Sequence, residues 1–412
     1  MNSMHLDRIP DAQPWLEPDA YWGAIDRATA HLETPFAALH LDALRHNAHD
    51  MVRRAGGTPI RVASKSVRVR GVIEQLLAEP DFAGVLAYTL AEALWLAETV
   101  DDVVVGYPTV DRTAIRRLAS SPELASRVTI MVDSPAQLDL VDAVLPAAAR
   151  EEIRVCLELD ASWNSRLLGH IGVWRSPVHD ADAAASLAQY IGRRPGFRLV
   201  GMMAYEAQIA GVGDRPIGKP VDGAIKRWMQ QQSIEELHDR RSVAVAAVRR
   251  IADLEFVNGG GTGSLESTHS DASVTEIGAG SGLFGGHLFD SYSRFTPAPA
   301  AAFPIPVVRR PAPGTATLLG GGWVASGPPG NDRLPQIAWP SGLKMVPREM
   351  AGEVQTPVTG PGARALRLGD RVWLRHTKSG ELAEHVDEFA LIDGGEVVGT
   401  LPSYRGEGRV FL

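Results

Sequence analysis

Cysteine is almost missing from this chain of 412 residues, and lysine is scarce. The single cysteine, Cys156, excludes an intramolecular disulfide framework and any multi-cysteine metal site. Its place in the apolar run IRVCLELD predicts simple burial, and the usage fits a reducing cytoplasm. Long apolar runs are lacking too. No stretch approaches the roughly 20 residues a membrane span requires, and MNSMHLDRIPDAQPWLEP has no apolar segment behind a positive start. The chain is therefore expected to be soluble and unexported. A dense basic run is also missing, and the net charge is -8, so nucleic acid is not an expected partner.

The five lysines are Lys65, Lys219, Lys226, Lys344 and Lys378, and the rest of the 41 basic residues are arginine. Lys65 stands at the end of a short apolar run in RVASKSVRVR. It is either one of few surface lysines or a lysine that chemistry requires.

What is present is a rhythm. From about residue 35, short apolar runs alternate with segments whose apolar residues recur three and four apart, which is the pattern of β/α units. The runs are FAALHL at 36–41, RVAS at 61–64, FAGVLAY at 82–88, DVVVGY at 102–107, VTIMVD at 128–133, IRVCLELD at 153–160, FRLVGMMAY at 197–205 and LEFVNGG at 254–260. In DALRHNAHDMVRRAGG, Leu44, Ala48, Met51 and Val52 share a helical face, and the glycine pair ends the helix. Eight such units predict an α/β fold, a (β/α)8 TIM-type barrel over 35–295, with a doubly wound open sheet as the alternative. A segment with a helix near AYWGAIDRATAHL occupies 1–34. After TPAPAAAFPIPVVRRPAP the short runs separated by Gly, Pro, Asn and Asp predict a mostly antiparallel β domain over 296–412.

In such a barrel reactive groups sit at the C-terminal ends of strands, which is where Lys65 falls. Partly desolvated beside Arg61 and Arg68, its amine could attack a carbonyl and form a Schiff base. In VNGGGTGSLESTHSDASVTEIGAGSGLFGGH two glycine-rich turns each follow a candidate strand. Their backbone N–H groups, with the hydroxyls of Thr262 and Ser281, suit an anion. The GK[ST] of a nucleotide-hydrolysing loop is missing. An amine after one strand and a phosphate nest after another, on one barrel face, describe a site for pyridoxal 5'-phosphate.

On RVASKSVR, GMMAYEAQ, VNGGGTGS and GAGSGLF the sequence resembles the fold-type III pyridoxal-phosphate enzymes, whose barrel is that of alanine racemase, and within them the D-threonine aldolase and D-serine dehydratase branch. The resemblance implies that Lys65 is the aldimine lysine and that Gly260, Gly261, Thr262, Gly280 and Ser281 hold the phosphate. It puts Tyr205 beside the cofactor as a second catalytic group, and Arg175 at the pyridine nitrogen. A fixed cation there disfavours ring protonation and suits racemisation, retro-aldol cleavage and β-elimination.

The branch carries RPHxKTH at the lysine, whereas here Ala63 and Val67 replace both histidines. Its divalent metal is bound by a His-x-Cys or His-x-Asp pair, where this chain offers Lys378 and Gly380. His376 and Glu381 are the nearby replacements as ligands, with Lys378 replacing the metal's charge as the alternative. The resemblance thus implies a pyridoxal-phosphate-dependent lyase acting on a small D-configured β-hydroxy amino acid, by retro-aldol cleavage or dehydration. An amino-acid racemase and a non-enzymatic pyridoxal-phosphate carrier are the alternatives, and a homodimer is implied.

Overall fold

The computed structural model describes residues 4–328, 330–378 and 380–412. Two compact units are distinguished. One comprises Met51–Lys65, Leu76–Gly280 and Phe411–Leu412; the other comprises the chain up to Asp50, Ser66–Gln75 and Ser281–Val410.

The first of these is a closed barrel of eight parallel strands: β1 (Ile60–Ala63), β2 (Phe82–Ala87), β3 (Val103–Val105), β4 (Val128–Val132), β5 (Ile153–Glu158), β6 (Phe197–Ala204), β7 (Phe256–Gly259) and β8 (Glu276–Ala279). They pair in chain order, and β8 closes the ring on β1, with Ile60, Arg61 and Val62 opposite Ile277, Gly278 and Ala279. Every residue of β3, β4, β7 and β8 is buried, as expected for parallel strands covered on both faces. Local chemistry starts the covering helices. Asp111 accepts the Thr113 and Ala114 N–H groups at 3.0 Å ahead of the helix Arg112–Ala119, and Asp180 accepts Ala183 N–H at 2.9 Å ahead of Ala181–Arg193. After the helix Leu41–Arg54, Gly56 and Gly57 take φ of +59° and +94°, the left-handed turn expected of that glycine pair.

On the barrel strands Val104, Met131, Cys156, Val200, Met203 and Phe256 pack into one buried apolar cluster. A Cβ on Gly201 would fall 2.2 Å from Phe256 Cζ, so the aromatic ring lies across a position that only glycine leaves open. Cys156 is buried, and burial pushes its thiol well above the ordinary range. The interior also holds ions: Arg61 donates to Glu276 at 2.6 and 2.8 Å and to Asp102 at 2.7 Å. Its charge is thus neutralised within the barrel, and is not the cation expected to act on Lys65.

Seven of the eight apolar runs are barrel strands, and the exception is FAALHL. Ala37–His40 belongs to the other unit, parallel to Glu388–Asp393 and antiparallel to Ala301–Ala312. A buried apolar run suits either sheet equally, so its partners cannot be read from it. The missing barrel strand is β8, EIGA, too short and too glycine-rich to register between the two turns. Its Glu276 is the partner of Arg61.

The second unit is a nine-stranded, mostly antiparallel sheet. The proline-rich passage supplies its longest strand, Ala301–Ala312. Val307 N–H donates to Asp370 at 2.8 Å, so N–H groups of odd-numbered residues there face Arg371–Arg375. Pro304 and Pro306 lack N–H groups on the opposite side, in the gap between pairing to Ala37–His40 and pairing to Thr315–Leu319. Arg68 forms an ion pair with Glu384 within this unit. Among the described residues no helix is long and apolar enough to cross a membrane.

Candidate active site

Lys65 lies in the single turn Ser64–Ser66 that follows β1. The turn is fixed by the buried Ser64, whose Oγ donates to the Leu86 carbonyl of β2 at 3.1 Å. From there Lys65 Nζ donates to Tyr107 Oη at 3.3 Å. Tyr107 comes from the loop after β3, held to β2 by Gly106 N–H donating to the Ala87 carbonyl at 2.8 Å. Lys65 also lies 5.8 Å from the Tyr107 ring centroid.

Arg175 arrives from the long connection after β5, which includes the hairpin of Trp163–Ser165 and Gly169–Ile171. Its backbone is anchored by Asp160, whose carboxylate accepts the N–H groups of Ser162 at 2.8 Å, Arg175 at 3.1 Å and Ser176 at 3.4 Å. Burial opposes ionisation of Asp160, but these bonds and the Ser162 hydroxyl outweigh it and hold its carboxyl below the usual range. The Arg175 guanidinium carbon is 5.0 Å from the Tyr107 ring centroid and 4.7 Å from that of Tyr205, which follows β6. Its Nη1 is 3.4 Å from Glu158 Oε1 at the end of β5. Arg175 also lines a cleft of about 430 Å³ with Asp160, Ser162, Asn164, His170 and Trp174.

These neighbours titrate unusually. Burial raises the Glu158 carboxyl to about 7, against the opposing pull of Arg175. Burial likewise raises the Tyr205 phenol to about 12, so Tyr205 keeps its proton at neutral pH. Tyr107 moves the other way: burial would raise its phenol, but Lys65 and Arg175 lower it further than burial lifts it.

The glycine-rich turns end β7 and β8. Gly260 has φ of +77°, and a Cβ there would lie 2.7 Å from Thr268 Oγ1. A Cβ on Gly261 would meet Ala210 at 3.0 Å and the Tyr205 ring at 3.3 Å, which places this turn against the aromatic group beside Arg175. Thr262 is buried, and its carbonyl accepts from Arg54 Nη2 at 2.8 Å. After β8, a Cβ on Gly280 would fall 2.6 Å from the Ala63 carbonyl, two residues before Lys65, and Ser281 follows to open the short helix Ser281–Phe284. Lys65, Arg175, Tyr205, Gly260, Gly261, Thr262 and Gly280 thus all lie at strand ends or in the loops that follow them.

Sequence reasoning missed Tyr107, Glu158 and Glu206. Glu206, directly after Tyr205, is buried and accepts Gly260 N–H at 2.9 Å and the Thr268 hydroxyl at 2.6 Å. The Gly260 N–H is therefore turned to Glu206, and Gly261 N–H donates to Ser264 Oγ at 3.2 Å. Two of the backbone donors that the glycine pattern suggested for an anion are engaged inside the protein. The signal for Tyr107 and Glu158 was their place at strand ends; nothing in sequence marked Glu206 as the brace of the turn.

The second unit holds the residues considered for a metal. His376 is buried, with Nδ1 3.1 Å from the Ala301 carbonyl, while Glu381 Oε1 accepts Lys378 N–H at 2.7 Å. Burial lowers the His376 imidazole to about 4, with Glu381 opposing. Among the described residues no group of three or more His, Cys, Asp or Glu side chains could hold a metal ion. The expected recruitment of His376 and Glu381 as ligands therefore finds no support. Glu381 instead closes the Lys378 turn.

The features do fit pyridoxal 5'-phosphate. Arg175 Nε is buried without a hydrogen-bond partner among the described residues, on a guanidinium that lies 5.0 Å from the ring of Tyr107, the partner of the Lys65 amine, and 4.7 Å from that of Tyr205, which borders the Gly261 turn. The sequence pattern of the family described as "Alanine racemase, N-terminal domain" matches residues 39–287. A 3-hydroxy-D-aspartate aldolase of Paracoccus denitrificans (strain Pd 1222) is 27% identical over 276 residues, covering 62% of this chain. The chain spans 61% of that relative's length. In solved structures, D-threonine aldolase from Filomicrobium marinum superposes with a TM-score of 0.75 at 22% identity, over 93% of this chain and 97% of that one. D-threo-3-hydroxyaspartate dehydratase from Delftia sp. HT23 gives 0.68 at 20%, over 90% and 97%.

Proposed function

We propose, from the fact that this chain belongs to the alanine racemase N-terminal domain family of fold-type III pyridoxal-phosphate proteins, that it is a pyridoxal-phosphate-dependent lyase. It acts on a small D-configured amino acid bearing a β-hydroxyl, by retro-aldol cleavage or dehydration. The names of the aldolase and dehydratase relatives support that reaction class. The single observation that carries the reading is the placement of Lys65 at the mouth of β1, hydrogen-bonded to Tyr107 and next to the end of β8.

Pyridoxal phosphate, when bound, supplies an aldehyde for amines and a ring that withdraws electrons from the carbon next to the amine. Lys65 supplies the amine that holds it and moves a proton at Nζ. Arg175 is the residue for the pyridine nitrogen. Within 5.0 Å of two phenol-ring centroids and near Glu158, it presents a fixed positive charge that disfavours protonation of that nitrogen. Tyr205 holds its proton, so it donates a hydrogen bond and does not act as a base at neutral pH. Thr262 and Gly280 are the residues of this reading for the phosphate, while Gly260 and Gly261, whose N–H groups are engaged by Glu206 and Ser264, shape the first turn. The reading includes a homodimer in the cytoplasm, supported by the family and by the single buried cysteine.

Borohydride reduction of the cofactor-loaded protein, followed by peptide mapping, should find the cofactor on Lys65. Without reduction, the loaded protein should cleave D-threonine to glycine and acetaldehyde and D-3-hydroxyaspartate to glycine and glyoxylate, or convert either to a 2-oxo acid and ammonia. A Lys65→Ala protein that kept both the visible band and turnover would refute the reading. Interconversion of enantiomers with no released product would replace the lyase by a racemase.

A further inference from the structure

The phenol oxygen of Tyr107 lies 3.3 Å from Lys65 Nζ, the atom that must lose a proton before it can attack a carbonyl. Arg175 reaches the same phenol from the connection after β5, with its guanidinium carbon 5.0 Å from the ring centroid. The groups that bear on Tyr107 are thus Lys65, Arg175 and, across Arg175, the phenol of Tyr205, with the Glu158 carboxyl next to Arg175. Tyrosine and lysine side chains titrate within about half a unit of each other in free solution, so a proton moves between them at small cost. Tyr107 is about one-third exposed, so a proton can also be exchanged with solvent.

We infer that Tyr107 is the proton partner of Lys65: it accepts a proton from the Nζ ammonium as the amine becomes a nucleophile, and returns it when the amine is set free. In the step an N–H bond of Lys65 breaks, an O–H bond forms on Tyr107 Oη, and nitrogen keeps the electron pair. No further reactant is needed. Arg175 stabilises the phenolate between transfers, which agrees with the lowered phenol. The inference rests on the proposed role of Lys65 as the cofactor's amine.

Two measurements test it, and neither is turnover. In the cofactor-free protein, near-ultraviolet tyrosinate absorbance against pH should show one of the seven tyrosines ionising ahead of the rest. That component should vanish in Tyr107→Phe and move to higher pH in Lys65→Met, which keeps Tyr107 in place. Superimposable titrations for all three proteins would overturn the inference. In rapid mixing with pyridoxal 5'-phosphate, the visible band should form at least about tenfold more slowly in Tyr107→Phe near neutral pH, with the deficit closing as alkali deprotonates Lys65 directly. An equal slowing at every pH would mean that Tyr107 only packs, and would also overturn it. Cofactor trapped by borohydride on a residue other than Lys65 would defeat both this inference and the proposed function. Cofactor on Lys65 with matching wild-type and Tyr107→Phe profiles would defeat the role of Tyr107 alone.

Discussion

The buried carboxylate of Glu206 accepts the backbone N–H of Gly260 at 2.9 Å, across 54 residues of chain, and so fixes the turn that ends β7. The same carboxylate takes the Thr268 hydroxyl at 2.6 Å and lies 3.5 Å from Arg241, which is itself paired with Asp271 at 2.8 Å. The Gly260–Thr262 turn is therefore shaped before any anion arrives.

Replacing Glu206 by Ala should leave the Gly260 N–H and part of the Arg241 charge buried without a partner. A loss of about 3 kcal/mol in urea unfolding is expected, with weaker binding of pyridoxal phosphate. Glu206→Gln keeps an acceptor for Gly260 and should lose less than half as much. Equal stability of the Ala variant and the wild type would show that the turn is held by other contacts.

Two glycines with similar backbones separate strain from collision. Gly57, at φ +94°, has nothing within 4 Å of an added Cβ, whereas Gly260, at φ +77°, would meet Thr268 Oγ1 at 2.7 Å and Ile277 Cγ2 at 2.8 Å. Gly57→Ala should cost about 1 kcal/mol from the left-handed backbone alone. Gly260→Ala should cost about 1–3 kcal/mol more and also weaken cofactor binding. Thermal melts and cofactor titration of both variants check this; equal melting temperatures would contradict it.

Much of this was legible in the chain itself. Runs such as VTIMVD and IRVCLELD, apolar on both faces, announce parallel strands under helices, and a lysine after one of them marks the strand end. FAALHL misled because a run buried on both faces carries no record of its neighbours, which are Ala302 and Ala390 around Ala38. EIGA was hidden because its glutamate, the feature that looks least like a strand interior, is satisfied by Arg61 from a strand more than 200 residues earlier. The same limit applies to the site. Lys65 and the glycines have local signatures, but Tyr107, Glu158 and Glu206 matter only through partners brought to them by barrel closure.

Arg175 should not be replaceable by lysine. Its guanidinium carbon lies 5.0 Å from the Tyr107 ring centroid and 4.7 Å from that of Tyr205, and an ammonium lacks the planar, delocalised group that makes such contacts well. Loss of two such contacts at about 0.5–1 kcal/mol each, with the ion pair to Glu158 weakened, predicts about 10- to 100-fold weaker binding of pyridoxal phosphate in Arg175→Lys. A fluorescence titration of the cofactor-free protein measures this. Binding within about twofold of wild type would remove Arg175 from the cofactor site.

Glu158 gives the barrel a pH dependence of opposite sign to that of most carboxylates. Burial raises its folded-state value from 4.5 to about 7, with Arg175 only partly opposing, and the side chain is 2% exposed. The folded protein therefore holds this proton more tightly than the unfolded chain does. Its contribution to stability is complete below 4.5 and is lost as pH rises through about 7, by an amount on the order of 3 kcal/mol. Glu158→Gln cannot ionise, so its stability relative to wild type should improve across that window and level off above it. Urea unfolding of both proteins on either side of the window decides the point: parallel stability curves would mean that Glu158 is ionised in the folded barrel, held by Arg175 more strongly than burial disfavours its charge.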